Sequence, residues 1–159
     1  MSKVRSNRFL AYAVWTAGSL AVFCLLLIYF APRGIMLLAE RRFTNVPAVT
    51  NEGRAPLNSM SHVDRFPTAD DKLIVRPNSD TFYSSGWYDL SRHSWVMTIP
   101  ASDGRYYSVQ FNDMFTNAFD YAGLRTTGSS AQTIFISGPL WRGEAPAGMR
   151  HVRCPTRKI

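Results

Sequence analysis

From Phe9 to Pro32 the chain carries no Asp, Glu, Lys, Arg or His. The run FLAYAVWTAGSLAVFCLLLIYFA, Phe9 to Ala31, is long enough to cross a hydrocarbon core of about 30 Å as one helix. A helix bonds its own backbone, so hydrocarbon tolerates it. This feature constrains the chain most, because whatever follows must be a domain fastened to such a helix. Tyr12 and Trp15 near one end and Tyr29 near the other suit the two interfaces, where an aromatic ring sits half wet. A cleaved signal peptide has an apolar region of only about 7–15 residues before a small-x-small cleavage site. Here the run is longer and is followed by Ala31-Pro32-Arg33-Gly34, so an uncleaved signal anchor is expected. A lipoprotein signal needs a small residue ahead of its cysteine, and Phe23 precedes Cys24.

Lys3, Arg5 and Arg8 precede the run, and Arg33, Arg41 and Arg42 follow it. The positive-inside rule is thus tipped only by the N-terminal amine, toward a cytoplasmic N-terminus. The resulting division is residues 1–8 cytoplasmic, 9–31 transmembrane, 32–71 a juxtamembrane helix with an irregular linker, and 72–159 a β-rich domain. The bulk of the chain is then expected on the outer side, which in a bacterium is the periplasm, beyond a single-pass anchor in the inner membrane. Cys24 lies in the span and Cys154 near the C-terminus, so no intrachain disulfide framework follows.

The formal charge of +7 does not imply nucleic-acid binding, because of where it lies. The excess flanks the apolar run and gathers late, at Arg142, Arg150, Arg153, Arg157 and Lys158. Between Phe43 and Trp141 seven basic residues face nine acidic ones. A groove that follows phosphates interleaves Lys and Arg through the folded module. Basic residues beside a membrane instead attract anionic headgroups, so the lipid bilayer is the expected partner.

Ile35, Leu38, Ala39 and Phe43 share one approximate helical face, so residues 34–46 read as a short juxtamembrane helix, kinked from the span by Pro32. Residues 47–71, with three prolines and many polar side chains, read as an irregular connection. From Lys72 the pattern turns to short strands, KLIV, TFYSSGWYDL, SWVMTI, RYYSVQF and QTIFIS, punctuated by turn residues such as Asp103-Gly104 and Gly138-Pro139. In the fourth, Tyr107, Val109 and Phe111 alternate with Tyr106, Ser108, Gln110 and Asn112, the mark of a half-buried strand. Trp95, Met97 and Ile99 repeat that period, and the Pro100–Gly104 loop is expected to join these two strands as a hairpin. The fold class expected is all-β: an antiparallel β-sandwich or jelly-roll-like domain after one N-terminal transmembrane helix.

The blocks VRPNSDTFYSSGWYDLS, VMTIP, GRYYSVQFNDMFTNAFDYAGLRTTG and FISGPLWRGEAPAGM, spanning about Ile74 to Thr156, resemble the domain of unknown function 1254 family of bacterial and fungal proteins. The resemblance rests on Arg-Pro-Asn-x-Asp-Thr-x-Tyr-Ser, Tyr-Asp-Leu-Ser, Arg-Tyr-Tyr-Ser with Asn-Asp after it, and Gly-Pro-x-Trp-x-Gly together. It implies a β-rich fold and a companion, the domain numbered 1214, and it implies no assigned activity. Family members typically run on past the point where this chain stops. Val109, Phe111, Ile134 and Ile136 are therefore expected to lack part of their cover, and the domain to gain stability from a partner strand.

A candidate polar cluster comprises Arg76, Asn78, Asp80, Tyr83, Arg105, Asp113 and Asn117. Asn78, Asp80 and Asp113 could hold a divalent cation, since hard ions take oxygen ligands. The competing reading is turn chemistry, in which short polar side chains bond nearby backbone N–H groups. His62, His93 and His151 lack the spacing of a zinc site, Ser84-Ser85-Gly86 lacks a nucleophile elbow, and no glycine-rich phosphate loop is present. No organic cofactor is expected, and whether the chain is an enzyme stays open at this stage. The readings that survive are a membrane-tethered binding or scaffold module docking with a companion β domain, a metal-dependent hydrolase acting on an anionic substrate, and a truncated remnant without activity.

Overall fold

The computed structural model describes residues 2–71 and 79–159. The apolar run lies within a single helix, α1 (Ser2–Thr44), which is long and apolar enough to cross a membrane, with a mean hydropathy of 2.1 in its richest window. Thr16 and Ser19 return their hydroxyls to the carbonyls of Tyr12 and Trp15 at 2.9 and 2.8 Å, which keeps polar side chains satisfied without water. Pro32, where a kink is expected, lies inside α1 and removes the N–H that would have reached the Ile28 carbonyl. The expected juxtamembrane helix is thus the C-terminal part of α1, ending at Thr44 rather than Val46. Arg41 and Arg42 in the last turn suit the negative end of the helix dipole, and Pro47 lies just beyond.

The chain divides into two compact units, Met1–Leu38 and Ala39–Ile159. The second contains the end of α1 and, among the described residues, seven strands: β1 (Ser59–Val63), β2 (Tyr83–Trp87), β3 (Trp95–Ile99), β4 (Ser108–Asn112), β5 (Ala118–Gly123), β6 (Gln132–Ser137) and β7 (Arg150–Arg153). They form three small sheets, β1-β2, β3-β6-β7 and β4-β5. The chain is therefore mostly β after one helix.

Several expectations are corrected here. The stretch 47–71 is not wholly irregular, since β1 pairs antiparallel with β2, Ser61 opposite Ser85. Its inward positions are Ser61 and Val63, and the fully buried Ser61 donates to the Thr50 carbonyl at 2.5 Å, so an apolar pattern could not reveal it. β3 and β4 do not form a hairpin. β3 pairs antiparallel with β6, Met97 opposite Ile134, while β4 pairs with β5 across residues 113–117. The Asp103-Gly104 turn, with φ of 50° and 79°, carries the chain from one sheet to another. The sheets are not all antiparallel, because β6 and β7 run parallel. The expected KLIV strand lies outside the described residues.

The alternation itself holds. Phe111 is buried and Val109 half-buried in β4 while Ser108, Gln110 and Asn112 are exposed, and Ile99, Met97 and Trp95 face inward from β3. One apolar cluster gathers Leu90, Ile99, Phe111, Ala122, Ile134, Ile136, Val152 and Cys154. β6 is buried on both faces from Ile134 to Ser137, as the middle strand of its sheet must be. The expected lack of cover is not found: Phe111 is 3%, Ile134 0% and Ile136 4% exposed, and Val109 packs against the cluster.

Candidate functional site

Among the described residues two of the candidates, Asp113 and Asn117, bond to one another, and their geometry is that of a turn. β4 ends at Asn112 and β5 begins at Ala118, so five residues must reverse the chain. One Asp113 oxygen accepts from the backbone N–H groups of Phe115 at 2.8 Å and Asn117 at 3.0 Å, and the other accepts from the Asn117 side-chain amide at 2.9 Å. The backbone adds Asp113 N–H to Asn117 C=O at 3.0 Å, and Thr116 takes a φ of 65° to complete the reversal. Burial raises the Asp113 pKa, but the Asn117 amide and the N–H groups of Asn117 and Phe115 outweigh it and hold the carboxyl below its ordinary range.

The other described candidates, Asp80, Tyr83 and Arg105, lie outside that turn. Tyr83 opens β2 opposite Val63, in a different sheet from Asp113. Asp80 is exposed in the bend ahead of β2. Arg105 has an exposed side chain, and its backbone N–H closes the turn onto the Ser102 carbonyl at 2.9 Å. Arg76 and Asn78 lie outside the described residues. Among the described residues no three His, Cys, Asp or Glu side chains converge to hold a metal ion.

Other polar groups come together across long sequence separations. Arg150 on β7 pairs with Asp120 on β5 and donates to the Tyr121 carbonyl at 3.1 Å, tying two sheets. The Gln132 amide donates to Tyr107 Oη at 2.8 Å and Thr127 Oγ1 at 2.7 Å, while Tyr107 Oη donates to the Gly128 carbonyl at 3.0 Å. Lys158 donates to Glu40 Oε1 at 2.5 Å, and the carbonyls of Arg157 and Ile159 accept from Leu90 and Tyr88. No local pattern marks these pairs, since Asp120 and Arg150 stand 30 positions apart.

Ser137 Oγ lies 2.8 Å from His151 Nε2, the contact of a nucleophile with its base. Ser137 has no exposed surface, however, and the His151 ring packs against Trp141 and Phe135 at centroid distances of 5.2 and 5.6 Å. No substrate reaches that hydroxyl, and the contact serves to join β6 to β7. A shallow cleft of about 340 Å³ is lined by Thr98, Gln132, Thr133 and Arg150, but the Arg150 guanidinium is already committed to Asp120. Burial pushes the Cys154 thiol up, which keeps it protonated and inert.

No curated protein matches the chain. A solved structure, the VPA0106 protein from Vibrio parahaemolyticus, is similar at 27% identity over 46% of this chain, with a TM-score of 0.43. The match covers 19% of that protein, so this chain corresponds to about a fifth of its length. The model of the family described as "Protein of unknown function (DUF1254)" matches residues 57–159, which contain all seven described strands and the Asp113 turn, and the chain belongs to that family.

Proposed function

We propose that this protein is a single-pass, membrane-anchored β module, held in a bacterial inner membrane with its N-terminus cytoplasmic and its β unit in the periplasm. There it acts as a binding or scaffold module for a companion β domain, of the 1214 kind that the family resemblance implies. The observation that carries the reading is the exposure of α1: among the described residues Phe9, Trp15, Leu25 and Ile28 are 76%, 76%, 66% and 72% exposed. Apolar area on that scale is unfavourable in water at roughly 25 cal/mol per Å² and is at home in hydrocarbon.

The docking role is supported by edges. β3 and β7 each have β6 on one side only, so among the described residues their outer backbone groups are open to another strand. A small sandwich is the arrangement we infer for the β unit, supported by one apolar cluster to which β3-β6-β7 and β4-β5 both contribute.

The test uses the full chain expressed in bacteria. It should resist alkaline carbonate extraction and dissolve in detergent, and a reporter active only in the periplasm should be active when fused after Ile159. Release by carbonate would overturn the anchor, and a silent fusion would overturn the orientation. Binding is tested by titrating the companion domain onto detergent-solubilised protein. A rise in melting temperature is expected by mass action, and no shift at excess would remove the docking role.

A further inference from the structure

Glu40 sits about one turn before the end of α1, in the same compact unit as the strands, and is 7% exposed. A carboxylate there meets the negative end of the helix dipole and little water, so it needs donors from the protein. Lys158 Nζ donates to Oε1 at 2.5 Å, whereas among the described residues nothing donates to the buried Oε2. Buried polar atoms are nearly always partnered, and one that is not leaves its desolvation uncompensated. An ammonium is a point charge that serves one oxygen, while the planar fork of a guanidinium serves both oxygens of a carboxylate at once. A metal ion suits the place less well, since the Lys158 ammonium already stands against the same group and like charges repel at that range.

Lys158 belongs to a short strap. The carbonyls of Arg157 and Ile159 accept from the N–H groups of Leu90 and Tyr88 at 2.8 and 2.9 Å, and Ile159 returns its own N–H to the Tyr88 carbonyl at 3.1 Å. The pairing is antiparallel with Lys158 opposite Asp89, so a second carboxylate stands beside the lysine side chain. Ile159 packs against the apolar cluster. Ahead of the strap, Thr156 is fixed by the Met114 N–H at 3.0 Å, which leaves residues 157–159 as the part that can exchange. The edge at 88–90 thus takes an added strand, wants a cation at its centre and an aliphatic side chain beside it, and its resident lysine leaves one buried oxygen unserved. We propose that this edge is the docking site for an extended segment of the companion domain, which displaces residues 157–159 by strand addition, lays an arginine across both oxygens of Glu40 and puts an aliphatic residue where Ile159 stands. The inference rests on the docking role proposed above and adds its place and its chemistry.

The test uses the full chain in detergent micelles and two peptide probes, acetyl-Pro-Thr-Arg-Arg-Ile-amide and the same peptide with lysine in the fourth place. In Lys158→Ala, which loosens the strap, the arginine peptide should bind about tenfold more tightly than the lysine peptide, and adding Glu40→Gln should remove the difference. No binding by either peptide, or equal binding by both, would overturn the guanidinium site. Should Lys158→Ala fail to fold, Lys158→Arg supplies a second measurement. Its guanidinium should raise the melting temperature by roughly 4 °C, and Glu40→Gln should cancel the gain. A variant melting no higher than the parent would overturn the site as well. The companion domain should bind Lys158→Arg about tenfold more weakly than the parent, because the strap is then the better occupant. Companion binding equal in the two chains would overturn the place and leave the docking role standing, whereas a companion that binds neither would remove the docking role and this inference together.

Discussion

Replacing Asp113 by alanine separates a turn from a ligand site. The change removes an acceptor that serves the N–H groups of Phe115 and Asn117 and the Asn117 side-chain amide. A hydrogen bond to a charged group contributes about 1.5–3 kcal/mol when buried and nearer 0.5–1 kcal/mol where water competes. Asp113 is half-buried and three bonds are lost together, so a cost of about 2 kcal/mol is expected. For a β unit of this size each kcal/mol moves the melting temperature by about 4 °C, which predicts a fall of ~8 °C. Asp113→Asn keeps one carbonyl acceptor and should lose about half as much. The assay is thermal unfolding of the full chain in detergent micelles, followed by tryptophan fluorescence with and without magnesium or calcium. If Asp113→Ala melts within about 1 °C of the parent, yet a cation that stabilises the parent no longer stabilises the variant, the turn reading is wrong. Asp113 would then belong to a metal site.

Gly123→Ala should destabilise by about 2 kcal/mol, because overpacking against fixed backbone has few ways to relax. Its Cβ would stand 2.6 Å from the Tyr107 carbonyl oxygen and 3.1 Å from Ser108 Cα, and an unchanged melting temperature would show that the β4-β5 ladder yields. Stability should also fall in acid. The Arg65 guanidinium holds Asp71 far below the carboxylate range, bonds from Ser91 lower Asp89, and Asp113 is lowered by its turn donors against the opposing effect of burial. A carboxyl whose folded pKa is depressed stabilises the fold above its unfolded value near 3.9 and loses that contribution as pH falls through the folded value. The melting temperature should therefore contain no step from these groups between pH 7 and about 5 and decline below about pH 4. A main loss between pH 7 and 5 would overturn the assignment to these carboxyls.

The link between Asp113 and Asn117 was legible because turn chemistry is local. Asp113 and Asn117 are four positions apart, and a carboxylate bonding the N–H groups just after it is what short polar side chains do. The same locality explains the ambiguity, since those residue types at that spacing serve a turn and a cation equally well. Only the three donors found around the carboxylate show how its oxygens are spent. The pairing of Asp120 with Arg150 and the buried contact of Ser137 with His151 join residues from distant strands, and no window of sequence contains both partners.

The sequence by itself determined the apolar helix, the end of α1 near Pro47, and the inward faces of β3 and β4. These depend on period and on residue chemistry within a few positions. The tertiary structure decided which strands pair. The Asp103-Gly104 loop is a competent hairpin turn, yet β3 takes β6 and β4 takes β5, because pairing is settled by which apolar faces fill one core together. β1 and β7 became strands for the same reason. Ser-Met-Ser-His-Val and Arg-His-Val-Arg have too few apolar side chains to be recognised alone, and each is held by a neighbour's ladder and a buried Ser61 or Val152. A strand's identity lies partly in its partner, which here stands tens of positions away in the chain and so leaves no local trace.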